Sequence, residues 1–520
     1  MLRCLLLIIF LALTLFAQTA KEQLILQAQE LMQQNNFAGA RQIIAQATRT
    51  YPNDAGFDNL LGIIEAQQGN AVAAETAFKK AITRSPKFTS AYLNLGRLYQ
   101  ENAAQFAEAP KKAGQIYQRI LQYDPGHLEA GYQSAVLLQI LGDYKTSLLQ
   151  VAKLPPDFQQ SAQVTALLCA NYAGLENRAK ADEHAAKLIR HSEFSEADVI
   201  SLWPVLEAKK RTDLMVKLCE SLIASRRATP EIFHRAGLVY EKLGQLEKAR
   251  EYLLQATGNE QPAVGLLLEL ARVAHQQKDF QDALGYLAQA RDLEPRNAAI
   301  HFSFGMVCAN LNLGAEAYTA FGKALEIEPE NATYNYAMGV AAMYRHDPGE
   351  AVPYLQKYLS LKPDDVRGKF LLGTVYFKLR DYESAHRELQ AALQATAAAA
   401  DTVAGAHFYL GRIARQENKL DEAIRELGLA LHLKPENADG YAELGQCFIQ
   451  QKNYAQAGQS LQQALKIDAD NYAANFNLLT LYSRTKDKRE AEQANKFEAV
   501  KNKRNEQMQD FLRAIEVRER

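Results

Sequence analysis

Histidines, cysteines and carboxylates are the residues that could carry out a reaction in this chain, and their spacing supports none. The ten histidines are scattered. There is no H-E-x-x-H to hold a zinc ion beside a glutamate base, and no G-x-S-x-G to raise a serine nucleophile on a tight turn. No glycine-rich loop suits a phosphate, and no C-x-x-C or cysteine–histidine spacing suits a metal or a redox pair. Cys169, Cys219, Cys308 and Cys447 each occupy an apolar or small-residue place and read as buried small hydrophobes. A bridge between Cys169 and Cys219 is the one pairing that an exported chain would make worth testing. No catalytic residue, metal or cofactor is therefore expected, and no small-molecule substrate is evident.

What does recur is a packing pattern. From residue 21 onward the chain restarts every 34 residues, at 21, 55, 89, 128, 162, 196, 230, 264, 298, 332, 366, 404, 438 and 472. These starts define repeats 1 to 14. The eighth place is small in twelve of them, as in Gly62, Gly96, Cys169, Gly305, Gly339, Gly373, Gly411 and Gly445. The twentieth place is alanine in twelve, from Ala40 and Ala74 through Ala351 and Ala457 to Ala491. Small residues at both places let two helices of one repeat approach closely. Larger apolar residues fill the neighbouring places at helical spacing, such as Phe78, Tyr117, Leu253, Phe321 and Leu461 at the twenty-fourth. Proline closes seven repeats, from Pro52 to Pro435, and stops the second helix.

Stretches such as AYLNLGRLY (91–99) and AEAYTAFGKALEIEPEN (315–331) carry this pattern most fully, and on them the chain resembles the tetratricopeptide repeat family. The resemblance implies an all-α fold, a right-handed superhelical solenoid of about fourteen helix-turn-helix units. It also implies a partner in place of a substrate, because such arrays serve many unrelated partners. His301 and His407 then fall on a fourth place, a packing position.

In that family the first helix of each unit lines a concave groove, with its second, fifth, ninth, twelfth and thirteenth places turned inward. Carried onto this chain, the fifth places of repeats 9 to 12 are Phe302, Tyr336, Phe370 and Phe408. Met306, Val340, Met343, Tyr344 and Phe377 flank them, and Arg272, Arg367, Lys378, Arg412 and Arg415 form a cationic border. Aromatic and methionine anchors with arginines at the rim suit a peptide or protein segment of apolar and partly acidic character. The same rings could equally serve packing, since the fifth place is often aromatic in this family for that reason. The lysine–asparagine clamp of chaperone-binding members is absent: Asn59, Ile63, Leu93 and Arg97 stand at the corresponding places. Asparagines such as Asn94 and Asn477 are isolated and make no ladder like that of the sugar-transferase members.

The organisation expected is an N-terminal segment, 1–20; regular repeats over 21–127; divergent repeats over 128–263; regular repeats over 264–485; and a charged capping helix over 486–520. In the divergent stretch Trp203 and Met215 replace small residues, which marks either a bend or ordinary drift. About five extra residues near 100–112 widen a turn inside repeat 3, and about four near 394–401 lengthen the connection after repeat 11. The capping helix covers the end of the array or, alternatively, binds a partner. With 59 basic and 60 acidic residues and no basic stripe, nucleic acid is not an expected partner.

The N-terminus reads as a targeting signal. Arg3 precedes a 14-residue apolar run, CLLLIIFLALTLFA (4–17), and small residues follow. A membrane span needs about 20 residues, so cleavage is expected, with a retained anchor as the alternative. The function that follows is an exported, non-catalytic protein-interaction scaffold of the periplasm or cell exterior. The alternatives are a membrane-anchored assembly or secretion factor and, third, an enzyme-associated subunit or cryptic enzyme.

Overall fold

The computed structural model describes residues 20–258, 261–344, 347–394 and 399–518, all helices and turns. The expected signal within residues 1–19 lies outside them. Among the described residues no helix is long and apolar enough to cross a membrane. The chain is an all-α repeat solenoid, and the 34-residue register sets its helices. First helices begin at Ala55, Thr89, Leu128, Ala162, Glu196, Pro230, Val264, Ala298, Ala332, Val366, Ala438 and Tyr472, twelve of the starts read from sequence. Repeat 12 differs. Its first helix, Ala400–Gln416, begins four residues before 404 and takes in part of the extra segment; residues 395–398 lie outside the described set.

Each repeat is a hairpin. In repeat 9, Ala298–Asn310 turns into Gly314–Ile327. The reversal falls on the fifteenth place, which holds a left-handed backbone. There φ is +78° at Gly69 and +80° at Gly142, but also +58° at Glu176, +63° at Lys278 and +61° at Arg380. One residue later an Asn or Asp commonly caps the second helix, as Asp381 does by accepting from Ser384 N at 3.1 Å. Between repeats a polar cap starts the next first helix, as when Asn437 accepts from Gly440 N at 3.1 Å. In repeat 3 the widened turn runs from Asn102 to Glu108, and Phe106 plugs it edge-on against Tyr99, with ring centroids 5.2 Å apart.

The small places meet as the sequence requires. A Cβ placed on Gly305 would stand 2.6 Å from the Phe321 ring and 3.2 Å from the Ala317 carbonyl oxygen. The same clash arises at Gly96 on Tyr117 (2.6 Å), Gly339 on Leu355 (2.7 Å) and Gly445 on Leu461 (2.6 Å). Eighth, twentieth and twenty-fourth places therefore form one contact, repeated along the chain. Hydrogen bonds span the same contact where glycine is lacking. Ser147 Oγ donates to the Ala135 carbonyl at 2.7 Å, and Cys169 Sγ donates to the Ala181 carbonyl at 3.4 Å. The last repeat departs from the pattern. Its second helix, Glu490–Arg518, starts two places late, so Ala491 is exposed and Gln493 takes the buried place. Gln493 Nε2 satisfies itself there by donating to Asn475 Oδ1 at 2.9 Å.

The chain divides into two compact parts, residues 1–261 and 262–520. Within the first, helix pairing continues through the stretch where the pattern is diluted. Trp203, in a place that is small elsewhere, is half-buried with the Arg235 guanidinium 4.9 Å from its ring centroid. Cys169, Cys219, Cys308 and Cys447 are all buried and unbridged. Burial pushes the Cys308 thiol up to about 11 and the other three up to about 12. These four thiols should stay unmodified by a thiol reagent at pH 8 in the native protein and react fully in denaturant. Mass spectrometry counts the adducts, and fast native labelling of any of the four would contradict this core.

Candidate functional site

The aromatic series runs along the first helices of repeats 9 to 12, and every ring in it is half-buried. The residues beneath account for this. Phe302 lies between Phe321 and Tyr334, with centroids 5.6 and 5.0 Å away. Tyr336 packs on Tyr358 at 5.1 Å, and the Arg367 guanidinium lies 6.0 Å from its centroid. Phe370 covers Gly405, where a Cβ would approach to 2.7 Å, and meets Tyr409 at 6.2 Å. Tyr409 in turn contacts Phe377 at 5.2 Å and Phe408 at 5.4 Å. Burial raises the Tyr336 and Tyr409 hydroxyls above their ordinary range. The series is thus a packed aromatic layer with one face turned outward. Met343 is half-buried against the core around Leu355 and Leu372, and Val340 is half-buried beside Gly339. The side chain of Tyr344 lies outside the described residues.

The arginines predicted as a rim are largely engaged. Arg415 Nε donates to Glu443 Oε2 at 2.8 Å, and its side chain is only 10% exposed. Arg412 Nε lies 2.9 Å from Glu443 Oε1 without hydrogen-bond alignment. Its guanidinium sits 4.7 Å from the Phe377 centroid and 5.4 Å from that of Phe408. One carboxylate therefore holds both arginines, and Arg412 lies over the rings that it was expected only to border. Lys378 and Arg272 are exposed.

One part of the surface is open and apolar. Between the first helices of repeats 8 and 9, Val264–Gln276 and Ala298–Asn310, lies a cleft of about 340 Å³. Leu268, Phe302 and Met306 line it, with Arg272 and His275 among its polar members. Met306 is 42% exposed and lies with Leu268 and Phe302 in one apolar lining. His275 Nε2 is 3.0 Å from Asn310 Nδ2. Repeat 8 carries no aromatic at the fifth place, where Leu268 stands. The signal available was an apolar fifth place followed by Arg272 at the ninth.

Other candidate groups have structural partners. His407 Nδ1 and Glu426 Oε2 are 2.7 Å apart, and His301 Nε2 is 2.9 Å from the Pro295 carbonyl. Asn94 Nδ2 donates to Asn59 Oδ1 at 3.0 Å, linking repeats 2 and 3. Among the described residues no group of three or more histidine, cysteine or carboxylate side chains could hold a metal ion.

Helical hairpins stacked on a 34-residue register define the class of a helical repeat protein. The family model described as tetratricopeptide repeat matches residues 25–87, 234–293, 268–332, 336–401, 371–438 and 410–474, together more than half the chain. The chain belongs to the tetratricopeptide repeat family, whose members bind protein or peptide partners. No curated protein matches it. Among solved structures it is similar to the anaphase-promoting-complex hetero-tetramer Cut9–Hcn1, at 15% identity over 90% of this chain and 98% of that one, with a TM-score of 0.41. It is also similar to YrrB, described as a repeat protein with an unusual peptide-binding site, at 24% identity over 36% and 95% of the chains (TM-score 0.31). PilF of Pseudomonas aeruginosa is 20% identical over 42% and 95%, with a TM-score of 0.35.

Proposed function

We propose that the protein is an exported, non-catalytic interaction scaffold, and that it takes an apolar anchor of a peptide or protein segment in the cleft between repeats 8 and 9. The observation that carries this reading is the exposed Met306 beside Phe302 in the apolar cleft between the two first helices. Methionine adapts to varied apolar partners, and central apolar anchors dominate binding energy. Phe302, which lines the cleft, is itself held between Phe321 and Tyr334, and a pre-ordered floor lowers the ordering cost of binding. Met306→Glu places a charge in the cleft. It should weaken capture of the native partner at least about tenfold, equivalent to 1.4 kcal/mol, and leave the melting temperature unchanged. Retained capture would move the binding surface elsewhere.

Export rests on the apolar run 4–17. Deleting residues 1–17 should leave the protein folded, because repeat 1 begins with its own core of Ala28, Ala40 and Ile44, and should keep it in the cytosol. Cell fractionation and circular dichroism read the two effects. Unchanged localisation would exclude a targeting role. Loss of folding would make the run part of the array. N-terminal sequencing of the mature protein separates cleavage from a retained anchor.

A further inference from the structure

A second cleft, of about 310 Å³, lies in the first compact part, where the turns inside repeats 5 and 6 come together. Its wall is cationic: Arg178, Lys209, Lys210 and Arg211 line it, against a single lining carboxylate, Glu176. Small neighbours, Ala173 and Ala208, leave the room. Arg178 and Lys210 are exposed, and Lys209 Nζ donates to Glu176 Oε1 at 2.9 Å. Lys210 takes the left-handed turn, with φ of +52°, and so bends three consecutive cationic residues around one reversal.

Arg211 is the unusual member. It is 4% exposed, yet it lines the cleft. Its Nε and Nη2 donate to the two oxygens of Asp213 at 2.9 and 2.7 Å, and Nη2 also reaches Asp182. Its Nη1 is buried with no hydrogen-bond partner. An unpaired buried donor carries a desolvation cost that an acceptor would relieve. Arg211 is also the N-cap residue of Thr212–Ala224, whose first turn carries Asp213, a carboxylate that accepts from the Leu214 backbone N–H. Four cations stand against three carboxylates, Glu176, Asp182 and Asp213, which leaves one positive charge uncompensated.

We propose that this cleft binds an oxyanion, with one oxygen accepting from Arg211 Nη1 and with Arg178 and Lys210 supplying the outer counter-charge. Phosphate and carboxylate groups share this chemistry, and the test distinguishes them. The full-length chain is titrated with inorganic phosphate and, separately, with glutarate, at constant ionic strength, by calorimetry. The expected result is saturable one-site binding of at least one of the two. The Arg178→Gln, Lys210→Gln double variant should weaken it at least tenfold, with the helical signal and melting temperature unchanged. Lys278→Gln, at the equivalent turn place of repeat 8, should bind as the parent does. Tighter binding of phosphate assigns the ligand to the phosphate class, and tighter binding of glutarate to the carboxylate class; either upholds the site. The proposal is overturned if neither anion saturates. It is also overturned if the double variant binds as the parent does, which would mean an adventitious ion only.

Discussion

Gly339→Leu should lower the stability of the protein by about 3 kcal/mol, the upper end of ordinary overpacking. A Cβ alone at this place would stand 2.7 Å from both Leu355 Cγ and Leu355 Cδ2. A leucine adds three more carbons between two helices that are already in contact. The Leu355 side chain is fully buried and has little room to retreat. The control is Glu330→Gln. It removes a 2.7 Å pair with Lys357 in which the glutamate is 71% exposed, and solvent screens most of that interaction. Chemical denaturation should therefore show a large drop in midpoint for the first variant and none for the second. Equal midpoints would mean that the eighth and twenty-fourth places do not meet.

The second large effect concerns the aromatic layer. Tyr336→Ala with Phe370→Ala should cost roughly 4 kcal/mol of stability together, about 2 from each ring, since both are half-buried. Tyr336 would leave the Tyr358 ring without its partner at 5.1 Å, and Phe370 would uncover Gly405 and Tyr409. A double variant that melts with the parent would show that these rings are spare surface, available to a partner along their whole length. Tyr336 and Phe370 have aromatic partners in Tyr358 and Tyr409, whereas Met306 is 42% exposed.

The repeat register was legible because it rests on side-chain size. Two backbones can meet only where side chains are small, so Gly305, Ala317 and Phe321 announce their contact at fixed spacing. The left-handed residue at the fifteenth place was not legible. Glu176, Lys278 and Arg380 adopt it without the glycine that marks it at Gly69, Gly142 and Gly244. Nor was the two-residue delay in repeat 14, where Ala491 kept the sequence pattern but lost its place to Gln493. For the candidate site, the fifth-place aromatics could be located, but not what they touch. Tyr334, Tyr358 and Tyr409 come from places that no single-helix pattern relates to the ladder. The same holds for Glu443, which lies within ion-pair distance of Arg412 and Arg415 from the next repeat.

Site-specific photo-crosslinking tests the central claim most directly. A photoreactive residue at Met306, 42% exposed on a first helix, is compared with one at Leu429, 43% exposed on the second helix Leu420–Leu433. The two positions are equally accessible and differ in the surface they report. In the native cell the probe at Met306 should form one dominant adduct with a protein partner, lost on Met306-adjacent Leu268→Glu, and the probe at Leu429 should form none. Adducts of equal yield at both positions, or none at Met306, would contradict a partner seated in the cleft between repeats 8 and 9.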